Sequence, residues 1–409
     1  FLIYLIFNNI LFNSANLSTE KFIKILAYYR FIFFVFFIST LFRKLNKKKL
    51  NFFIKLNLFI ILLVIIDIFI QLLLGKDIFG FPGGMCFGEY THIDFKTLTK
   101  EHVLSNLCQR YAGPFNQEFI AGSFIIFVGT LFVSLNFLDE TLSNSKKFLF
   151  IFSIIICFLA TLITGDRNPF VSLVIALFIF FLIEKNYRKL FFKFFSVLFI
   201  IGLLTTLLNV HLYERYVSAG RDLLSIPEKF DIFKDKKVKF QSLNEQNHSK
   251  NVKKNSFLKN LKKKFYNTQW GAHYLVSIEM YKKKPLTGHG YQSYRIECHK
   301  YSYIESSMAN VRCSSHPHNY IIQLLSETGL IGLIIYILFL TSIFYKLKNF
   351  KSNLNKPLAI FLGALLISFL FPFKPSGSIF SSVNNSFLFY LIGWVVYSFN
   401  LTDIRYLKK

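Results

Sequence analysis

The stretch SSHPHNYIIQLLSETGLIGLIIY, residues 314–336, places two histidines directly in front of an apolar run long enough to cross a bilayer. A hydrocarbon core about 30 Å thick needs roughly 20 apolar residues in helical form, and the run beginning at Asn319 supplies them. An imidazole at such a boundary can be an interfacial anchor, a proton relay, a metal ligand or a catalytic base. The rest of the chain has to discriminate.

The 409 residues are 53% hydrophobic, with 53 phenylalanines and a mean hydropathy of +0.43, above the apolar share of an ordinary soluble domain. Apolar blocks predict spans over 1–12, 24–42, 52–74, 118–138, 147–164, 169–184, 190–208, 319–345, 357–373 and 383–399. The expected fold class is therefore an all-α polytopic membrane protein with about ten transmembrane helices. Because the chain begins at Phe1 rather than Met, an incomplete N-terminus is part of this expectation, and no cleavable signal peptide is read from it.

Lysine and arginine in short loops stay on the cytoplasmic side. RKLNKKK (43–49), SKK (145–147), EKNYRK (184–189), KLKNFKSNLNK (346–356) and RYLKK (405–409) all fall on one side of a ten-span arrangement. The opposite side then carries two longer segments, about 75–117 and 209–318. Three regions follow: a bundle over 1–208, one large extracytoplasmic loop over 209–318, and C-terminal membrane helices over 319–409.

The net charge of +26 thus divides between cytoplasmic loops and an outward basic loop, which argues against a nucleic-acid partner and for membrane lipids or an anionic, pyrophosphate-linked substrate. Cys86 and Cys108 lie in the first outer segment and Cys298 and Cys313 in the second, so the pairs Cys86–Cys108 and Cys298–Cys313 are expected in an oxidising compartment. Zinc-site spacings are absent, and neither a metal nor a cofactor is expected. The lysine- and asparagine-rich run over about 225–265 reads as a mobile insertion. From 266 onward helical spacing resumes, ended by Pro285 and the turn TGHG.

Within SSHPHN, Pro317 disfavours helix for the residue before it, and Asn319 or Ser315 can cap the helix that follows. His318 then sits at the mouth of that helix, where the dipole lowers an imidazole pKa and keeps a nitrogen available as a base. His316 is the neighbouring candidate, with interfacial anchoring as its alternative.

His318-Asn319 is followed by nine residues, Gly329, two more and Gly332, and this H-N-x9-G-x-x-G pattern with HP before it and SETG inside it resembles the signature of the bacterial O-antigen ligase and O-antigen polymerase family. GPFNQEFIAGSF (113–124), TGDRNPF (164–170) and PLTGHGYQSYR (285–295) are similar to stretches of that family in the same order, so the resemblance covers roughly 110–345.

The resemblance implies a GT-C-like fold in the bacterial inner membrane. Its implied activity is transfer of a glycan from an undecaprenyl-diphosphate-linked oligosaccharide to a sugar hydroxyl, by a metal-independent inverting glycosyltransferase on the periplasmic side. The acceptor is another lipid-linked glycan in polymerases, lipid A-core in ligases, and protein in some relatives. His318 is then the base. Arg167, in TGDRNP, matches the family's diphosphate arginine, with an Asp166-paired interfacial residue as the alternative. A second family arginine near a tryptophan-containing helix has no counterpart in NTQWGAH around Trp270; Arg215, Arg221 and Arg295 are the substitutes, and the departure favours a polymerase.

Supporting roles fall to Glu327, which is nine residues past His318 and on the far side of an ideal helix, and to Gly329 and Gly332, read as permitting close helix packing. Arg110 and Glu118 flank GPFNQ and either line the acceptor path or form an interfacial ion pair. A polytopic transporter of the same lipid-linked sugar is the competing class, although no internal repeat is visible and most charges lie in loops.

Overall fold

The computed structural model describes residues 1–14, 18–81, 110–115, 120–138, 143–208, 212, 216, 265–301, 306, 309–348, 356–372, 374 and 376–406. The described residues form no strand, and every one of the ten apolar ranges coincides with a helix. In chain order these are α1 (Leu2–Phe12), α2 (Thr19–Ala27) running almost directly into α3 (Tyr29–Lys44), α4 (Lys47–Leu74), α5 (Ala121–Phe137), α6 (Asn144–Ile163), α7 (Arg167–Ile183) and α8 (Lys185–Leu208). Further along the chain come α9 (Gln269–Lys283), the short turn α10 (Tyr294–Glu297), α11 (Tyr320–Lys348), α12 (Lys356–Leu370) and α13 (Ser382–Tyr406).

Among the described residues four helical stretches, Thr19–Phe42, Lys48–Leu74, Asn144–Ile163 and Tyr320–Tyr345, are long and apolar enough to cross a membrane. Leu2–Phe12, Ala121–Phe137 and Pro357–Phe369 are apolar but shorter, and α7 turns by 120° at Glu184 into the basic start of α8. Local chemistry sets the ends. Asn46 Oδ1 caps α4 by accepting from Lys49 N, Ser143 Oγ caps α6 from Lys146 N, and Gly75 closes α4 in the left-handed region.

The abundant phenylalanines divide into two populations. Phe150, Phe180 and Phe361 are buried against one another, and Phe42 and Phe132 around Trp394, which stacks on Phe42 with ring centroids 4.5 Å apart and ties α13 to α3. Phe33, Phe36, Phe37, Phe52 and Phe59 point outward from α3 and α4. An outward face of that kind is tolerable when the surroundings are acyl chains rather than water.

The expected helix after residue 266 is α9, ended before Pro285, and the region 225–265 read as an insertion lies outside the described residues. Cys298 and Cys313 are joined by a disulfide with Cα atoms 5.5 Å apart. Cys86 and Cys108 lie outside the described residues.

Candidate active site

The site is built where α9 and the residues leading into α11 meet the first turns of that helix. Asn319 caps that helix: its Oδ1 accepts from the amides of Ile321 and Ile322 at 3.0 and 3.1 Å, while its Nδ2 donates to the Pro372 carbonyl at 2.6 Å. Gln323, one turn on, accepts from Ile379 N at 3.0 Å and donates to Ser378 Oγ at 2.9 Å. The connection between α12 and α13 is thereby fastened to the mouth of α11. His318 completes the fastening, its carbonyl accepting from Ser376 N at 2.7 Å, and its backbone is held at φ +59°, a conformation an L residue adopts at a cost of about 1–3 kcal/mol.

That backbone turns the imidazole into a cluster. The His318 ring centre lies 4.7 Å from Trp270, edge-on, 4.1 Å from His316 and 5.3 Å from His273. Burial, reinforced by His316 and His273, holds the His318 pKa down to about 3, and burial likewise lowers His316 to about 4. Desolvation leads in keeping the base neutral, with the neighbouring imidazoles second. His273 Nδ1 lies 2.9 Å from the Arg312 carbonyl, which can only accept, so Nδ1 carries the proton. The other nitrogen, Nε2, is a buried acceptor with no partner among the described residues.

The PLTGHGYQSYR segment docks on α11 through its main chain. Leu330 N donates to the Pro285 carbonyl at 2.8 Å, Ile331 N to Leu286 at 3.2 Å, His289 N to Ser326 at 3.1 Å and Gly290 N to Glu327 at 2.8 Å. This pairing requires α11 to break. Gly329 sits at φ +68°, ψ −172°, and a Cβ there would lie 2.2 Å from the Leu286 oxygen. Gly329 is therefore a helix break that admits another backbone, not the packing glycine expected from the sequence. Gly332 does serve close packing, since its Cβ position is 2.9 Å from the Tyr4 ring of α1.

Glu327 is fully buried and points at the same segment: Oε1 accepts from Tyr294 N at 3.0 Å and Oε2 from Gln292 N at 3.1 Å. It fixes α10 against α11. His289 is a second clamp, its Nε2 3.0 Å from the Met280 carbonyl of α9.

The first two motifs meet at α7. Tyr111 N donates to the Thr164 carbonyl at 3.2 Å, and Gly122 approaches Thr164 and Asp166 so closely that a Cβ would lie 3.0 and 3.1 Å from them. Arg110 pairs with Asp166 across 3.4 Å, which favours the ion-pair reading of Arg110. Arg167, at the first turn of α7, is exposed and has no ion-pair partner among the described residues, so the Asp166-paired alternative does not hold. Arg295 is exposed on α10, near enough for its charge to depress the His316 pKa. Arg215, Arg221 and Glu118 lie outside the described residues.

Residues 152–337 match the family described as O-antigen ligase. The match supports the O-antigen ligase family for that region. No curated protein matches the chain significantly. Similarity to O-antigen ligases points to glycan transfer in surface-polysaccharide biosynthesis by a bacterial membrane enzyme that takes a lipid-linked glycan and an acceptor. The matched region spans α7, the large loop and the head of α11, hence both Arg167 and the His318 cluster.

Sequence reasoning missed His273, which has no motif of its own and lies on α9, a helix that is not one of the expected spans. Lys374 was missed too: it is buried between two apolar runs, and its Nζ donates to Ser172 Oγ of α7 at 2.6 Å. Its signal was available, because the ten-span reading puts this lysine in a short loop opposite the basic loops, against the charge bias. Cys298, His299 and Cys313 place their ligand atoms within 4.8 Å of one another, a grouping the spacing argument did not raise; in this structure the two sulfurs are bonded to each other.

Proposed function

We propose that this protein polymerises lipid-linked glycan repeat units, transferring the growing glycan from undecaprenyl diphosphate to a sugar hydroxyl of the next unit. The reaction is set at the periplasmic side of a ten-span, GT-C-like inner-membrane protein. The observation that carries the reading is the neutral His318 imidazole held against Trp270 at the head of α11, inside the matched region.

In the proposed step the acceptor oxygen attacks the anomeric carbon from the face opposite the diphosphate. The new C–O bond forms as the bond to the diphosphate oxygen breaks, the electron pair leaves with undecaprenyl diphosphate, and the configuration inverts. The hydroxyl proton passes to the free nitrogen of His318. A base with a pKa near 3 is weak, but a diphosphate brought beside it favours the imidazolium and raises that value, so the donor itself activates the base. Arg167 offers a planar fork that matches phosphate oxygens, with Arg295, Arg215 and Arg221 as further cations. The charge balance asks for no metal in this scheme.

Polymerisation is favoured over ligation because α9 presents Trp270 and His273 where the family's ligases carry an arginine. The test is an assay of purified protein with undecaprenyl-diphosphate-linked repeat units, with lipid A-core added in a parallel reaction, comparing wild type with His318→Ala. A ladder of lengthened lipid-linked glycans that falls about 10²- to 10⁴-fold in the variant is expected. Product formed only with lipid A-core would make the protein a ligase, and an undiminished ladder in His318→Ala would remove the base from its assigned role.

A further inference from the structure

Two short loops opposite the basic loops carry one cation each among the described residues: Arg167 between α6 and α7, and Lys374 between α12 and α13. The fold brings them to the same end of α7. Lys374 Nζ donates to Ser172 Oγ at 2.6 Å, and Ser172 donates in turn to the carbonyl of Asn168, the residue after Arg167, at 2.9 Å. On its other side Lys374 is two residues from Ser376, whose amide holds the His318 carbonyl. Lys374 therefore lies on the bonded path between the exposed arginine and the imidazole.

Its surroundings do not explain a charge. Only 6% of Lys374 is exposed, the Phe369 ring lies 5.8 Å from its ammonium, and no carboxylate among the described residues is within ion-pair distance. A buried ammonium whose sole acceptor is a hydroxyl is a costly arrangement unless an anion supplies the missing charge. Burial pulls its pKa down to about 7, as expected for a cation awaiting a counter-ion. Nearby, Asn168 Oδ1 is also buried without a partner, a second polar atom of the same corner left unmatched by protein.

We propose that Lys374 is a diphosphate-binding cation of the donor site, acting with Arg167 on the lipid-linked pyrophosphate next to His318. The inference rests on the glycan-transfer reading above, and it fills the place for which no arginine near Trp270 was found. The anion displaces part of the Lys374–Ser172 bond and neutralises the ammonium.

The experiment measures undecaprenyl diphosphate and undecaprenyl monophosphate binding to the full chain in lipid nanodiscs, for wild type, Lys374→Met and Lys374→Arg, alongside thermal unfolding of each. Methionine fills a similar volume without charge, so a lysine held for its ligand predicts opposite signs: affinity for the diphosphate falls about 10- to 100-fold while the apo protein melts no lower than wild type. Lys374→Arg should keep part of the affinity, and the preference for diphosphate over monophosphate should shrink in Lys374→Met. Unchanged diphosphate affinity in Lys374→Met would overturn the proposal and leave the glycan-transfer reading standing. Loss of affinity together with a lowered melting temperature would make Lys374 a structural residue and also overturn it. Failure of wild type to bind either lipid would overturn both.

Discussion

Before Gly329, α11 buries Gln323, Ser326, Glu327 and Thr328 against the outer loop; after it, the same helix turns Ile334, Ile337 and Leu338 outward. The first half is held by directional bonds whose partners are distant in sequence: Gln292, Tyr294, Ile379 and, through the Thr328 carbonyl, the hydroxyl of Tyr4. The second half packs one apolar face inward, with Tyr336 and Ile343 buried, and leaves the other to the solvent around it. Polar, specified geometry in one half and interchangeable apolar surface in the other mean that mutations of similar size should have very different consequences on the two sides of one glycine.

The largest contrast should come from the divide itself. Gly329→Ala places a Cβ against the Leu286 oxygen at a backbone angle that only glycine adopts readily, so destabilisation beyond about 3 kcal/mol and loss of transfer are expected, read by thermal unfolding and by the glycan ladder. Near-wild-type stability would mean that α11 can run unbroken and that the docking of PLTGHG is dispensable. Next comes Glu327→Gln, which turns one of two backbone-facing acceptors into a donor. A loss of about 1–3 kcal/mol with reduced turnover is expected from the same two measurements.

A smaller effect concerns pH. An imidazole whose pKa is lowered by folding stays neutral until pH falls to about 3, so kcat/KM should show no inflection near 6.5 as pH drops from 8 to 5. The linkage runs the same way for stability: the unfolded chain binds the proton first, so stability is full above about pH 6.5 and declines below it towards pH 3. A kcat/KM titration centred near 6.5 would place His318 in water rather than in the cluster. Smallest of all, Leu338→Ala, on a side chain 63% exposed beyond the break, should change stability by less than about 0.5 kcal/mol and leave transfer unaltered. A large loss there would show that the outward face is packed against something.

The same divide explains what was legible in the amino-acid order. Apolar runs of membrane length dictate helices by themselves, since a backbone in lipid must satisfy its own hydrogen bonds, and helices stand at all ten predicted positions. The Asn319 cap was legible because it is local, joining residues two and three apart. Gly329 was misread because a glycine in an apolar run looks the same whether it packs a helix or breaks one. The difference lies in Leu286, 43 residues upstream. Glu327 could be placed on the far side of its helix but not matched to the amides of Gln292 and Tyr294. His273 and Lys374 were invisible for the same reason: their meaning comes from Arg312, Ser172 and the His318 loop, none of which is a sequence neighbour.

One further feature bears on how the molecule is made. The short helix α1 carries Asn8 and Asn9, buried and bonded to the catalytic-side loop: Asn8 Nδ2 donates to the Thr287 carbonyl at 2.6 Å and Asn9 Oδ1 accepts from Tyr291 N at 2.9 Å, across separations of 279 and 282 residues. At a synthesis rate of about 5–20 residues per second, those amides precede their partners by roughly 15 to 55 s. During that interval α1 is a poor guest for lipid, because its asparagines have nothing to bond to in hydrocarbon. The biogenesis of this protein thus contains a waiting period. Whatever shelters α1 until Thr287 and Tyr291 emerge determines whether the loop that positions the site finds its anchor.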